Sequence, residues 1–364
     1  MSVAASTPEA WATLSLKALP HQALVALLRA FGNPSAVLAA TRAQLVAVVP
    51  DAVAARVIEP AAPDSLATTR AWLADPTHEI IAWDDPDYPR ALLDLGYAPP
   101  ALFYVGRREL LNRPALAIVG SRNATAQGAD NARAFAQALS QAGLTIVSGL
   151  AVGVDAAAHT GALEGAGSTL AVVGTGLDRV YPARNRELAH RIAEQGGLIS
   201  EFPPGTPPRE MNFPRRNRLI SGLSRGVVVV EAALSSGSLI TARYAGEQGR
   251  EVFAIPGSIH SPLSKGCHKL IREGAKLVET AQDILEELGM GAAGTPKGMR
   301  TAFPASAHEA ALLAALGGDC ADVDTLVART QLAPDAVVAA LTGLELAGQV
   351  AAIPGGQWQR LHNG

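Results

Sequence analysis

The 364-residue sequence contains only two cysteines, Cys267 and Cys320. Two thiols so far apart make neither a disulfide framework nor the paired spacing of a metal site, so a reducing cytoplasm is the expected setting. Long apolar runs are missing as well: none approaches the roughly 18 residues that a membrane span needs. The opening residues, Met-Ser-Val-Ala-Ala-Ser-Thr-Pro-Glu, lack the basic start and apolar centre of an export signal. Charged residues are sparse, 17% against 48% hydrophobic, which excludes disorder and predicts a well-buried core. The length predicts two or three domains.

Lysine is absent between Lys17 and Lys265. Arginine takes its place and is clustered. The net charge of −3 conceals a window, Arg179 to Arg225, with nine arginines and four acids. A planar guanidinium with five donors holds phosphate oxygens in pairs, which an ammonium cannot do. A GC-rich genome accounts for the shortage of lysine but not for the clustering of arginine.

Three regions follow. Residues 1–75 are rich in Ala and Leu at helical spacing. Leu16, Leu19, Leu24, Leu27 and Leu28 predict one helix pair, broken at Phe31-Gly32-Asn33-Pro34, and Val37, Leu38, Leu45, Val46 and Val57 predict a second. Residues 76–290 have an α/β rhythm, with strands expected at Leu116–Val119, Leu144–Val147, Leu170–Val173, Val227–Val230 and Val252–Ile255. Continuous Val/Ile/Leu runs are those of a parallel sheet covered by helices on both faces. The segment His78–Arg107 is expected to cap or extend that sheet. Residues 291–304 read as a linker. In 305–364, three helical patterns (307–316, 322–329, 334–347) and two short strands spell a winged helix. Its candidate recognition helix carries Asp335 and Glu345 and no base, which predicts packing or protein contact instead of DNA binding.

In a doubly wound sheet, ligands bind beyond the carboxyl ends of the strands. The unusual residues fall there: Gly120-Ser121-Arg122 after the first run, Ser148-Gly149 through Asp155 after the second, and Gly174 through Asp178 after the third, with Arg184-Asn185 beyond. Gly237-Ser238 and Thr241 follow the fourth. Glycines let backbone approach a ligand, and a helix start favours an anion. Four such turns with Arg122 and Arg184 beside them predict a polyanion site. Asn212-Phe213-Pro214-Arg215-Arg216-Asn217-Arg218 is the most informative segment. Three arginines opening a helix oppose its dipole and ask for an anion. Phe213 beside them offers a ring for an unstacked base, with core packing as the alternative.

These motifs, together with Ser-Glu-Phe-Pro (200–203), Ser-Gly-Ser-Leu-Ile-Thr-Ala (236–242) and Pro-Gly-Ser-Ile (256–259), resemble the DprA/Smf family of DNA-processing proteins, continuously from about 80 to 285. The resemblance implies an extended Rossmann-like parallel sheet, flanked by a small N-terminal helical (SAM-like) domain and a C-terminal winged helix. It implies a homodimer that binds single-stranded DNA without sequence preference and loads RecA onto strands held by single-strand-binding protein, in natural transformation and recombination. The family's DNA pocket maps onto Arg122 and onto Phe213, Arg215, Arg216, Asn217 and Arg218, with Phe213 as the stacking ring. Val152 and His268 depart from the arginine and asparagine frequent there.

Two enzyme classes fit less well. A nucleotide phosphoribohydrolase of the lonely-guy type shares the fold but needs a glutamate where this chain has Thr241. A dinucleotide oxidoreductase needs GxGxxG, whereas the first turn here has an arginine. Asp155 and His159, four apart, make a poor metal pair without a third ligand and are expected to be a helix-start carboxylate and a half-buried histidine. Tyr181, Pro182 and the Pro203-Pro204 turn read as structural. The expectation is a binding protein with no catalytic residue, cofactor or metal.

Overall fold

The computed structural model describes residues 7–93, 95–290, 307–316, 320–346, 349–353 and 356–360; the expected linker, 291–304, lies outside them. The chain divides into two compact units, 1–291 and 292–364. No helix among the described residues is long and apolar enough to cross a membrane.

The first unit is built on nine strands: β1 (His78–Ala82), β2 (Ala101–Gly106), β3 (Ala115–Val119), β4 (Thr145–Ser148), β5 (Thr169–Val172), β6 (Gly197–Ser200), β7 (Gly226–Val229), β8 (Glu251–Ala254) and β9 (Lys276–Leu277). Their order is β1-β2-β6-β5-β4-β3-β7-β8-β9. The run from β6 to β9 is parallel, while β1 and β2 extend it antiparallel beyond β6. Alternate side chains enter two cores. Ala117, Val119, Val147, Val227 and Val229 face one. Leu116, Ile118, Ile146, Val228 and Val230 face the other, against the helices Ala126–Gln141 and Val154–Ala162.

The five expected runs are β3, β4, β5, β7 and β8, each within one residue of its expected position. The strand β6 was not expected, because Gly197-Leu198-Ile199-Ser200 is too short and too weakly apolar to stand out. From β3 the chain winds outward through β4, β5 and β6, then returns to place β7 on the other side of β3. The crevice where the winding direction reverses is the usual ligand position in such sheets.

The N-terminal region forms six short helices instead of two pairs. Proline opens three of them, Pro8, Pro34 and Pro63, and Thr7, Asn33 and Thr41 cap helix starts with their side chains. Asn33 and Thr41 each start a new helix within two residues of the end of the one before, which apolar spacing alone cannot reveal. Their shared core, with Trp11, Leu14, Leu27, Val37 and Leu45, includes Ala82 and Ala101 of the sheet edge. These helices therefore belong to the same compact unit as the sheet.

The second unit has helices Ala307–Leu316, Val323–Thr330 and Pro334–Leu346 around Leu312, Leu326, Val337 and Leu341. Its three-stranded sheet has the wing strands Val350–Ile353 and Gln357–Arg360 plus a strand, Cys320–Asp322, that the sequence had not suggested. It is a winged helix.

Candidate nucleic-acid interface

A cavity of about 680 Å³ opens at the reversal point between β3 and β7. Its walls come from the turn after β3 (Gly120, Ser121, Arg122, Asn123), the turn after β4 (Ala151, Asp155), Tyr181, the start of the helix Asn212–Gly222 (Phe213, Arg216, Asn217), and the segment Ala233–Thr241 after β7.

The helix Asn212–Gly222 is anchored to the ends of two strands, β4 and β5, and this decides where its arginines point. Asn212 Nδ2 donates to Gly174 O at 3.0 Å. Arg216 is 5% exposed; its Nη1 donates to Gly149 O at 2.6 Å and to Val172 O. Gly149 is required there, because a Cβ on it would lie 2.6 Å from the guanidinium nitrogens. Burial lowers the Arg216 pKa to about 10, with Asp155 opposing that shift and Arg122 adding to it. Three arginines at this helix start do not all reach solvent, then: the middle one is a buried cation in the cavity wall.

The outer two turn away from the cavity. Arg218 and Arg215 converge on Glu201 Oε2 at 2.6 and 3.0 Å, and the Glu201 side chain is only 2% exposed. Arg218 also donates to Tyr97 O at 2.8 Å and lies over the Tyr97 ring, while Arg215 lies over Phe202. One buried carboxylate offsets one of their two charges, and Arg215 keeps 61% of its side chain exposed.

Arg122 behaves differently. Among the described contacts it has no hydrogen bond or ion pair, and its guanidinium carbon lies 5.6 Å from the centroid of the Phe213 ring. Phe213 is half-buried: one side rests on Gly174, where a Cβ would come within 3.0 Å of the ring, and Tyr181 lies 5.6 Å away at a 35° tilt. The structure thus puts Phe213 in the cavity wall and not in the core.

Behind this surface, Asp155 and His159 organise the turn after β4. Asp155 Oδ2 accepts from Gly149 N at 3.1 Å and Ala151 N at 3.3 Å. Burial pushes its carboxyl upward, opposed by Arg216 and those two amides. His159 is fully buried, not half-buried as expected. Its Nε2 accepts from Leu150 N at 3.3 Å. Its Nδ1 lies 2.7 Å from Thr169 Oγ1, whose proton goes to Ile146 O. That network requires a neutral ring with the proton on Nδ1, and burial, then Arg216, lowers its pKa to about 3. Both side chains hold backbone: His159 takes the amide of Leu150, at φ 58°, and Asp155 takes the amides on either side of it.

Of the other candidates, Gly120, Ser121, Asn217, Gly237, Ser238 and Thr241 share the cavity with Arg122, Phe213 and Arg216. Ser148 is buried and donates to Ile118 O at 2.6 Å. Asn185 is buried and ties its turn to Leu150 O and Ala151 O. Gly149 and Gly174 sit behind the wall, under Arg216 and Phe213 respectively. Arg184, Arg215 and Arg218 lie outside the cavity lining. The amides of the helix Ser238–Glu247 are also less open than a bare helix start: Ser238 N bonds Ser236 Oγ, Leu239 N bonds Ser236 O, and Ile240 N bonds Gly237 O. Charge for an anion therefore has to come mainly from side chains. Tyr181, read as structural, stands in the wall; its place beside Phe213 depends on a contact across 32 residues that no local pattern shows.

A family model described as DNA recombination-mediator protein A matches residues 79–289, and one for the DprA winged helix domain matches residues 296–356. Protein Smf of Escherichia coli is 46% identical over 299 residues, 80% of this chain and 80% of its own. The X-ray structure of DprA from Streptococcus pneumoniae superposes with a TM-score of 0.68 at 39% identity, covering 78% of this chain and 99% of that one. DNA processing protein A of Helicobacter pylori, whose structure is described for its single-stranded DNA binding mode, superposes with a TM-score of 0.53 at 31% identity, covering 58% and 95%.

Proposed function

The chain belongs to the DNA recombination-mediator protein A family, and from that premise we propose that it binds single-stranded DNA, without sequence preference, in the cavity at the reversal point of its sheet. The observation that carries this reading is the pairing of Arg122, a cation with no hydrogen bond or ion pair among the described contacts, with the half-buried ring of Phe213. A charge for the phosphate and a flat surface for the base, side by side, are the two elements of sequence-tolerant strand binding. A duplex hides its bases, so the ring serves only an unstacked strand.

The reading extends to a homodimer in the cytoplasm that loads RecA onto strands covered by single-strand-binding protein, in DNA uptake and recombination. The family membership supports this part; the cavity bears only on the strand itself. Binding without chemistry is supported by the state of the cavity's buried carboxylate. Asp155 is engaged by two amides and faces Arg216, and Thr241 stands where a phosphoribohydrolase of this fold carries its glutamate.

A gel shift with a homopolymer strand and a blunt duplex of equal length tests the first part; equal affinity for both would overturn it. RecA-driven strand exchange on strands pre-coated with single-strand-binding protein tests the second. The protein is expected to shorten the lag, and no change in the lag would remove the loading role while leaving strand binding intact.

A further inference from the structure

Tyr181 is the one aromatic ring among the exposed large hydrophobic side chains of the described residues. It is 45% exposed, lines the cavity, and stands with its ring 5.6 Å from that of Phe213. Its hydroxyl has no hydrogen bond among the described contacts. A packing role would bury more of the ring, and a polar role would give the hydroxyl a partner.

The segment that carries it is held firmly. The turn Ala183–Asn185 follows two residues later, and Asn185 Nδ2 donates to Leu150 O at 2.9 Å and to Ala151 O at 3.1 Å. Ala151 is itself part of the cavity wall. The exposed Arg184 between Ala183 and Asn185 is therefore pinned beside the cavity. It has no hydrogen bond or ion pair among the described contacts, whereas nearby Arg179 is paired with Asp178 at 2.7 Å.

We propose that Tyr181 is a second base-stacking residue of the strand site and that Arg184 holds the adjoining phosphate, so the strand leaves the Phe213 pocket across Tyr181. This inference rests on the strand-binding reading above. Rings as close as those of Phe213 and Tyr181 leave no room for a base between them, so the second base lies on the outer face of Tyr181. The cation that serves the first nucleotide is Arg122, over the Phe213 ring; the second needs its own, and Arg184 is the unpaired one nearest Tyr181 in sequence.

The test uses the full-length protein and oligothymidylates of graded length carrying a single 2-aminopurine walked along the strand. Wild type is expected to quench the probe at two separate positions, and Tyr181→Ala to lose one of them. Tyr181→Ala should weaken binding to long strands about tenfold, within the range of one lost base–aromatic stack, and leave the shortest bound strand unaffected. Tyr181→Phe should bind like wild type. Arg184→Ala should flatten the salt dependence by about 0.7 in slope. If folded Tyr181→Ala binds every length like wild type while Phe213→Ala does not, the proposal is overturned and the strand-binding reading stands. If wild type binds no strand, the reading itself fails. Should Tyr181→Ala not fold, the wild-type walk decides: a single quenched position refutes the second stack.

Discussion

Both units of this chain present a shape associated with nucleic acid, and they differ in what their cations are doing. In the α/β unit, Arg122 faces a cavity with no hydrogen bond or ion pair among the described contacts and with an aromatic ring beside it. In the winged helix, the candidate recognition helix Pro334–Leu346 bears only Asp335 and Glu345 as charges. The two arginines among the described residues of that unit each bond a carbonyl: Arg329 donates to Ala315 O at 2.9 Å and Arg360 to Leu313 O at 3.4 Å. Shape makes a groove or a helix available, but a polyanion is held by cations that can displace its counterions. Within the helix Asn212–Gly222 the arginines have protein partners: Arg215 and Arg218 share the one carboxylate of Glu201, and Arg216 is buried on the carbonyls of Gly149 and Val172.

The largest effect should come from the buried cation. Arg216→Met removes the positive partner of a buried carboxylate, and an uncompensated buried charge costs roughly 3–5 kcal/mol. Denaturant unfolding should show that loss; a change under 1 kcal/mol would mean that Arg216 is not the structural member of the trio.

Next is His159. Its pKa is lowered to about 3 in the fold against an ordinary 6.5, so the unfolded chain binds the extra proton between those values. The stability of the neutral ring is complete above about pH 6.5 and is lost as pH falls, at roughly 1.4 kcal/mol per pH unit, or about 2 kcal/mol by pH 5. Asp155, whose carboxyl is pushed upward, works in the opposite sense as it takes up its proton. The measurement is therefore the difference in pH dependence between wild type and His159→Gln. Parallel curves would contradict a buried neutral ring.

The two halves of the proposed site can be separated by salt. Phe213→Ala should cost about 1–3 kcal/mol of strand binding without altering the salt slope. Arg122→Ala should weaken binding and flatten the slope by about 0.7, the value for one phosphate contact on a single strand. Variants are compared only where melting temperatures match. An unchanged slope in Arg122→Ala would break the contrast between free and committed cations. The smallest effect should follow removal of residues 292–364, because that unit has no uncommitted arginine among its described contacts. Strand affinity is expected to change less than tenfold, and a larger loss would show that the winged helix holds DNA by other means.

Local chemistry determined much of this molecule. Val/Ile/Leu runs marked five of the nine strands, because a parallel strand buried on both faces has no polar side to interrupt it. Glycine turns after those runs located the end of the sheet where the cavity opens, and the charge of Pro334–Leu346 set the winged helix apart from its namesakes. What the tertiary structure alone decided is direction and company. Arg215, Arg216 and Arg218 are nearly adjacent in sequence, yet one is buried against Gly149 and two face Glu201, since a helix turns its neighbours to different sides and only packing says what waits there. His159 looked half-buried because nothing local announces Thr169 and Leu150 as its partners. Tyr181 looked structural for the same reason: its ring meets Phe213 only once the ends of separate strands are brought together.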